Sequence, residues 1–501
     1  MRHSYILLSA MLLAGLTLFA GCYSDDSNDN LSEPLRIEVS GIEPAYTVAP
    51  VGDRLKINPV VSPADRQYDC FWTVTPSTAT WGEVPDTISR TENLDVPVNL
   101  DLGSYKLRFC AKDRQTGIFS YTEYNLNVTT DMNEGWWVLK SEGDSTDFDF
   151  FTDKKQKRDL ILAANGHHLA GTAVNLAQTD SYWDFDEGSK TDKRCSAVFV
   201  ASKNDLAAID FFTGRIIRGF NDLFMDVPKR EVRDLFTGPS DIHVYVDGHV
   251  YTLYNSKYSV YKQFVIKVLG DYDLSPWHHC AQSLPLLYNR SNDSFCSVSR
   301  TSSGIDYFPN ASPSSNKTGM DLVFLGGMTT STYTQGDVAL AVMHDRKTGK
   351  HYLYTLNGQP YSMGSNPITG TAEMPDGLGL YTADYSALNQ NSRIIYYSKS
   401  NRIYACNLDS WTETLQDVQP AAGEMVTYME YLKYAPYGMD SSWFDYLAVA
   451  TSTADGYKLY LYPVKAGKVM PAERVLTGKG KVRRACFMSY GSYGTNMTPL
   501  F

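Results

Sequence analysis

From Gly135 to Phe501 one pattern recurs and restricts the fold more than any other feature: a short apolar strand, a polar turn, then a second strand dense in tyrosine. Ser441 to Val469, SSWFDYLAVATSTADGYKLYLYPVKAGKV, shows it most clearly. Tyr446, Ala448 and Ala450 alternate with Leu447 and Val449, Ala454-Asp455-Gly456 supplies the turn, and Lys458 to Pro463 returns as the partner strand. Comparable units run from Gly135 to Phe151, Ser196 to Phe212, Ile242 to Tyr254, Ser283 to Val298, Val338 to Leu356 and Arg393 to Leu408. That makes seven units, with starts about 40 to 60 residues apart. A propeller blade of four short strands and their loops takes about 50 residues. A lone meander cannot bury its apolar face, whereas successive meanders can, each sheet packing on the next. The chain is therefore expected to be all-β, with a seven-bladed β-propeller over 132–501; six or eight blades, or another all-β stack, are the alternatives.

A chain of 501 residues exceeds the size at which one ordinary core stops growing, so at least two domains are expected. A net charge of -11 argues against a nucleic-acid partner, because backbone binding needs a basic track. The basic run Lys154-Lys155-Gln156-Lys157-Arg158 reads as a solvated turn. Thirty-five tyrosines suit both strand faces and the rims of binding surfaces.

At the N-terminus, Arg2 and His3 precede an apolar run from Ile6 to Ala20, which ends in Gly21 and Cys22. The run is too short for a stable spanning helix and has no stop-transfer pattern, so 1–21 reads as a signal peptide. Phe19-Ala20-Gly21-Cys22 resembles the lipobox of bacterial lipoproteins, with phenylalanine in place of the usual leucine. That resemblance implies lipidation at Cys22. Residues 22–34 are polar, acidic and without periodicity, as a tether would be. Ser24-Asp25-Asp26 resembles the acidic signal that sends lipoproteins of Bacteroides-like bacteria to the outer face of the outer membrane, and the bland alternative is a soluble linker.

Short strands divided by Pro, Gly and Asp turns fill 35–131: Leu35–Val39, Arg54–Pro59, Cys70–Thr75, Leu94–Val98, Tyr105–Cys110 and Tyr121–Thr129. Their spacing fits a small immunoglobulin-like β-sandwich. Tyr68, Cys70, Trp72 and Val74 share one strand face, and Gly103-Ser104-Tyr105 opens a strand that resembles the Gly-x-Tyr strand of polycystic-kidney-disease (PKD) domains. With Tyr105, Leu107 and Phe109 inward, Cys110 is expected to point outward, which argues against a bridge to Cys70. Without Cys22, seven of the eight cysteines remain, an odd number that rules out complete pairing within the chain.

The chain lacks a Gly-x-Ser-x-Gly elbow, a His-Glu-x-x-His pair, a phosphate loop and the Ser-x-Asp-x-Gly-x-x-Trp box of sialidase-like propellers. Acid pairs such as Asp147 with Asp149, Asp184 with Asp186 and Asp271 with Asp273 read as solvated loop residues, so no catalytic residue is assigned and a propeller hydrolase is the remote alternative. Adjacent histidines, His167-His168 and His278-His279, would point to opposite faces of a strand, so no metal site and no cofactor are expected.

Four stretches mix aromatic rings with acids, amides and glycine: Ser181–Lys190, Gly270–Cys280, Gly358–Gly370 and Tyr434–Phe444. Propeller loops gather on the two end faces, so these are expected to form a rim built from Trp183, Asp186, Trp277, His278, Tyr437 and Trp443. Such a rim suits stacking on sugars or clasping an extended peptide. The plain alternative is that the tryptophans fill gaps between blades.

The lipobox with its acidic follow-on, the sandwich and the Gly135-Trp136-Trp137-Val138-Leu139 entry together resemble the PKD-like family of Bacteroidales lipoproteins. The resemblance implies a lipid-anchored protein on the cell surface, in the outer membrane, accessory to a TonB-dependent transporter and its lid lipoprotein in a starch-utilisation-type system. Its role would be capture of oligopeptide or oligosaccharide cargo. The alternative is a docking scaffold that buries about 1,000 Å² or more against the complex without touching cargo.

Overall fold

A computed structural model describes residues 35–51, 53–80, 82–186, 190–238, 241–254, 262–280, 284–298, 303–309, 312–328, 338–358, 360, 363–434, 444–491 and 494–498. The expected signal peptide, Cys22 and the tether lie outside the described residues. The protein is all-β, with an N-terminal PKD-like domain and a succession of sheets that resembles propeller folds. Two compact units are present: a smaller one from the residues before Ala45 with Lys56–Leu94 and Lys106–Asn125, and a larger one from Ala45–Leu55, Asp95–Tyr105 and Leu126–Phe501. The two units interleave in sequence.

In the smaller unit, strands Phe119–Val128, Gly103–Asp113, Tyr68–Pro76 and Asp86–Ser89 lie side by side in that order. Cys70, Trp72 and Val74 are buried, as their shared face requires. Trp72 meets Phe109 at 4.8 Å between ring centroids and donates from Nε1 to the Glu92 carbonyl at 2.9 Å. Cys110 departs from the expectation. It is buried, as are Phe109 and Ala111 on either side, so both faces of this strand are covered and strict alternation fails here. Both Cys70 and Cys110 are free thiols.

Among the described residues from Glu134 onward the strands form seven sheets, and every repeat read from the sequence supplies two neighbouring strands of one sheet. Sheet 1 contains Glu134–Glu142, Ser145–Phe151 and Gln156–Lys157; sheet 2 contains Ala173–Asp186, Thr191–Ser202, Leu206–Asp210 and Ile216–Arg218. Sheet 3 contains Val232–Thr237, Asp241–Val246, His249–Tyr254 and Ile266–Lys267, and sheet 4 contains Leu287–Asn289, Ser294–Ser297 and Asp306–Tyr307. Sheet 5 contains Met320–Met328, Val338–Asp345, His351–Asn357 and Ile368–Met374, and sheet 6 contains Tyr385–Leu388, Ile394–Lys399, Arg402–Asn407 and Thr412–Leu415. Sheet 7 is built around Met425–Tyr434, Phe444–Thr453, Gly456–Lys465 and Arg474–Gly478. In its hairpin Thr453 pairs with Gly456, which places the turn at Ala454-Asp455 as the sequence indicated.

Both faces of these sheets are buried, and side-chain parity decides which neighbour each residue meets. In sheet 2, Val198 and Val200 pack with Trp137 and Phe148 of sheet 1, while Phe199 and Ala201 pack with Val244 of sheet 3. Sheet 5 behaves alike: Ala339 and Ala341 join Phe295 of sheet 4, and Leu340 and Val342 join Ile395 of sheet 6. Leu447 and Val449 of sheet 7 face Tyr396 of sheet 6, whereas Ala448 and Ala450 face Trp136 and Val138 of sheet 1.

The last sheet thus packs against the first, and the strand that follows the last sheet in sequence joins the first. Lys481–Gly491 runs antiparallel to Glu134–Glu142, from Glu134 opposite Ser489 to Ser141 opposite Lys481, and so becomes the inner strand of sheet 1. This pairing covers the expected Arg484 to Tyr490 segment and leaves neither strand an open edge at that seam.

Candidate functional site

The inner strands of five sheets carry the same irregularity. Ladder pairing skips Val174 in sheet 2, Arg233 in sheet 3, Val323 in sheet 5, Thr427 in sheet 7 and Arg483 in sheet 1. A one-residue bulge bends its strand and re-aims the side chains beside it. After the bulge, Asn175 and Asp234 make the same bond in successive sheets: the side-chain Oδ1 accepts from the next backbone N–H, of Leu176 at 2.9 Å and Leu235 at 2.8 Å.

Those re-aimed side chains bond to the next sheet. Asn175 Nδ2 donates to the Leu235 carbonyl at 2.9 Å and to Asp234 Oδ1 at 3.1 Å, and Asp234 Oδ2 lies 3.1 Å from His278 Nδ1. Trp277 meets Phe324 of sheet 5 at 5.0 Å between ring centroids. On the far side, the Tyr428 hydroxyl donates to Glu430 Oε2 at 2.5 Å and accepts from the Ala485 N–H at 3.1 Å. Arg484 Nη1 is 3.3 Å from the same Glu430 oxygen, and Arg483 Nε donates to the Val174 carbonyl at 3.0 Å.

Strands of sheets 1, 2, 3, 5, 6 and 7, with the segment Pro276–His278, line a cavity of about 340 Å³. Its polar lining includes Asn175, Asp234, His278, Glu430, Arg483 and Arg484; Trp277, Tyr385, Tyr428 and Tyr431 supply aromatic surface. The volume is at the lower end of the range for small-molecule sites, about 300 to 1,000 Å³.

Two of the three carboxyls that line the cavity, Glu430 and Asp234, are driven apart. Burial pushes Glu430 up, opposed by Arg484 and the Tyr428 hydrogen bond. Burial also acts to raise Asp234, but His278 and the bonds from Asn175 and Leu235 outweigh it and hold that carboxyl below its usual range. Arg484 is raised, since Glu430, Tyr428 and Asp234 outweigh the burial that disfavours its charge. Arg483 is lowered, first by burial and then by Arg484 beside it.

A second group of donors sits in sheet 1, where Asp147, Asp159 and His168 bring ligand-type atoms within 4.8 Å of one another. The donor set is poorly disposed for a cation. Asp147 Oδ1 accepts from the N–H groups of Phe148 and Ile161, and Oδ2 from Leu162 N–H at 3.0 Å and lies 2.7 Å from His168 Nδ1. The Lys140 ammonium stands 2.8 Å from Asp159. Lone pairs a metal would need are already engaged, and the lysine charge opposes an incoming ion.

Of the six residues expected to form a rim, Trp277 and His278 line the cavity. Trp183 is not among its lining residues. The stretch Ser181–Asp186 is strand, not loop: it continues Ala173–Asp186 and pairs through Trp183 with Arg194 and Asp186 with Thr191. The reason is ladder length, since Thr191–Ser202 offers a partner along the whole extension. Tyr437 and Trp443 lie outside the described residues. Sequence reading missed Asp234, Glu430, Tyr385, Tyr428, Arg483 and Arg484. A signal existed in the recurring bulge-plus-polar pairs Val174-Asn175, Arg233-Asp234, Thr427-Tyr428 and Arg483-Arg484, each followed by Leu, Leu, Met or Ala.

Residues 22–173 match the PKD-like family. No curated protein matches the chain. Among solved structures, a quinonprotein alcohol dehydrogenase-like protein from Bacteroides thetaiotaomicron is similar over 88% of this chain and 95% of its own, at 10% identity and TM-score 0.42. The β-propeller domain of Cps50 (Swd1) from Myceliophteria thermophila is similar over 66% of this chain and 99% of its own, at 12% identity and TM-score 0.34. The WD40 domain of SCAP from fission yeast is similar over 64% of this chain and 80% of its own, at 7% identity and TM-score 0.33.

Proposed function

We propose that the seven sheets are the blades of a seven-bladed β-propeller and that its central cavity is a capture site for a small part of an oligopeptide or glycan. In this reading the chain is a lipid-anchored surface protein of the outer membrane, tethered through Cys22, that serves a TonB-dependent transporter and its lid lipoprotein. The observation that carries the reading is the cavity of about 340 Å³ lined by polar, charged and aromatic side chains from six sheets together with Trp277 and His278. Convergent polar groups in a concave, partly aromatic site are the usual form of a ligand pocket. The lipobox-like Phe19 to Cys22 and the acidic Ser24 to Asp26 motivate the address.

The test replaces Trp277 by alanine in the full chain and measures melting temperature beside calorimetric binding to oligopeptides and oligosaccharides. Trp277 packs on Phe324, so a fall in melting temperature is expected; if it also forms the site, affinity of the folded protein falls at least tenfold. Unchanged affinity with lower melting would make Trp277 core alone. Protease shaving of intact cells should remove the protein, and Cys22→Ala should release it from membranes.

One observation favours a second reading, a glycoside hydrolase: Glu430 is raised and Asp234 lowered within one cavity. Carboxyls separated in this way are how acid and base roles are divided. Turnover of a glycan that is lost in both Glu430→Gln and Asp234→Asn would replace capture by catalysis.

A further inference from the structure

Most charged groups that line the cavity have a close partner. Asp234 lies 3.1 Å from His278 Nδ1, Arg484 3.3 Å from Glu430 and Arg233 3.3 Å from Asp273, while Asp384 accepts from the Ser400 N–H at 3.0 Å. Arg483 has no such partner: among the described residues no carboxylate lies within ion-pair distance of its guanidinium, and its single hydrogen bond is from Nε to the Val174 carbonyl. That bond fixes the plane of the group and leaves both Nη nitrogens unused.

The position is unusual for an unpaired cation. Arg483 is the bulge residue of the inner strand, which turns its side chain out of the ladder, and it is accessible although burial is the largest influence on it. Its charge is felt by Asp234 of sheet 3, by Glu430 and Tyr428 of sheet 7, and by Tyr385 of sheet 6. A side chain that interacts with three other sheets reaches into the space they share. Arg484 beside it raises the cost of leaving this charge unanswered. Guanidinium stays protonated across the physiological range and presents paired N–H groups that match a carboxylate in a two-point fork.

We infer that Arg483 is the anion receptor of the cavity and that the captured ligand presents a carboxylate to its two Nη groups, with the Tyr385 and Trp277 rings beside it. The inference rests on the cavity being the capture site and names the chemical class it takes. A peptide C-terminus and an acidic sugar both carry this group. Phosphate and sulfate fit less well, since their greater charge would face Glu430 and Asp234 across the same small space.

The experiment measures melting temperature of the full-length protein against sodium acetate, with sodium chloride at matched ionic strength as reference. The parent should show a saturable rise with acetate. That rise should vanish in Arg483→Gln and shrink in Arg483→Lys, which keeps the charge and loses the fork. Calorimetry then compares N-acetyl-dialanine with its C-terminal amide, and galacturonate with galactose. A preference of tenfold or more for the acid of one pair identifies the source as peptide or acidic sugar. Absence of a saturable acetate response in the parent, or an equal response in Arg483→Gln, overturns the inference. If acid and neutral forms bind equally and both are lost in Trp277→Ala, the carboxylate inference fails and capture stands. Acetate protection that depends on Arg483, with no oligomer bound, has the opposite meaning.

Discussion

Two buried charge clusters of the larger unit use the same residue types to different ends. Around Lys140 the charges are paired: its ammonium lies 3.0 Å from Asp149 and 2.8 Å from Asp159, and Arg158 reaches Asp149 at 3.1 Å. Asp149 also accepts the Tyr457 hydroxyl at 2.7 Å, which ties sheet 7 to sheet 1. Two cations balance two anions there. Around Arg483 the pairing is incomplete: among the described residues its guanidinium has no ion-pair partner, and Glu430 Oε1 and Arg484 Nε are buried without a hydrogen-bond partner. Low dielectric magnifies both a satisfied network and an incomplete one, so the first reads as a clasp and the second, next to open volume, as a receptor. The same logic separates Asp147, whose oxygens are filled by N–H groups, from a metal ligand.

The largest disruption should come from deleting 481–501, because the strand Lys481–Gly491 carries Arg483 and Arg484 and also pairs with the strand of Lys140. Cooperative thermal unfolding, followed by circular dichroism, is expected to disappear; a truncated chain that melts like the parent would refute closure of the sheets by this strand. Next, Asp149→Ala removes the centre of the paired cluster, takes the carboxylate from Arg158 and the Tyr457 hydroxyl, and leaves Lys140 with Asp159 alone. Breaking a buried pair by removing one partner costs about 3 to 5 kcal/mol, to be read by urea unfolding. Ligand affinity of the folded protein should not change. A loss under about 1 kcal/mol would mean that the clasp is screened like a surface pair.

A smaller effect is expected from acid. Asp234 is held below its usual range, so its contribution to stability is present above the unfolded carboxylate value of about 3.9 and is lost as pH falls through the folded value. It is faced by Asn175, His278 and the Leu235 N–H, with Arg483 and Arg484 also acting on it. Urea unfolding at pH 6 and pH 3 should therefore show a smaller drop in Asp234→Asn than in the parent. An identical drop in the variant would assign the acid sensitivity elsewhere. The smallest change in stability is expected of Arg483→Gln, within about 0.5 kcal/mol of the parent, because the guanidinium has one hydrogen bond to lose and a repelling neighbour to be rid of. Severe destabilisation would place Arg483 with the clasp and erase the contrast between the clusters.

The middle strands of the sheets were readable because their residues are apolar on both faces and stand between clear turns. Leu447 to Ala450 is an example, with consecutive residues feeding two different cores. Inner strands were harder to read. Bulges at Arg233, Thr427 and Arg483 interrupt the period-two pattern, and charged residues such as Asp234 and Arg484 resemble loop chemistry. The site was therefore sought in aromatic loops. Trp277 and His278 were reached in that way, while Trp183 proved to extend a strand. Cys110 shows the reverse error, a clean alternation applied to a strand covered on both faces.

By itself the sequence determined the all-β class, the seven repeats and the strand that joins the C-terminus to Glu134–Glu142. Those follow from local apolar patterning, turn residues and the need to cover two strand edges, all of which are written over a few neighbouring positions. Only the tertiary structure decided that Asn175, Asp234, His278, Tyr385, Glu430, Arg483 and Arg484 share one cavity. These residues are spread over more than 300 positions, and which charges cancel depends on distances of 3 to 4 Å across sheets that no local pattern encodes. That Arg483 has no ion-pair partner among the described residues depends on where side chains of other sheets lie, so it is visible only in the folded structure.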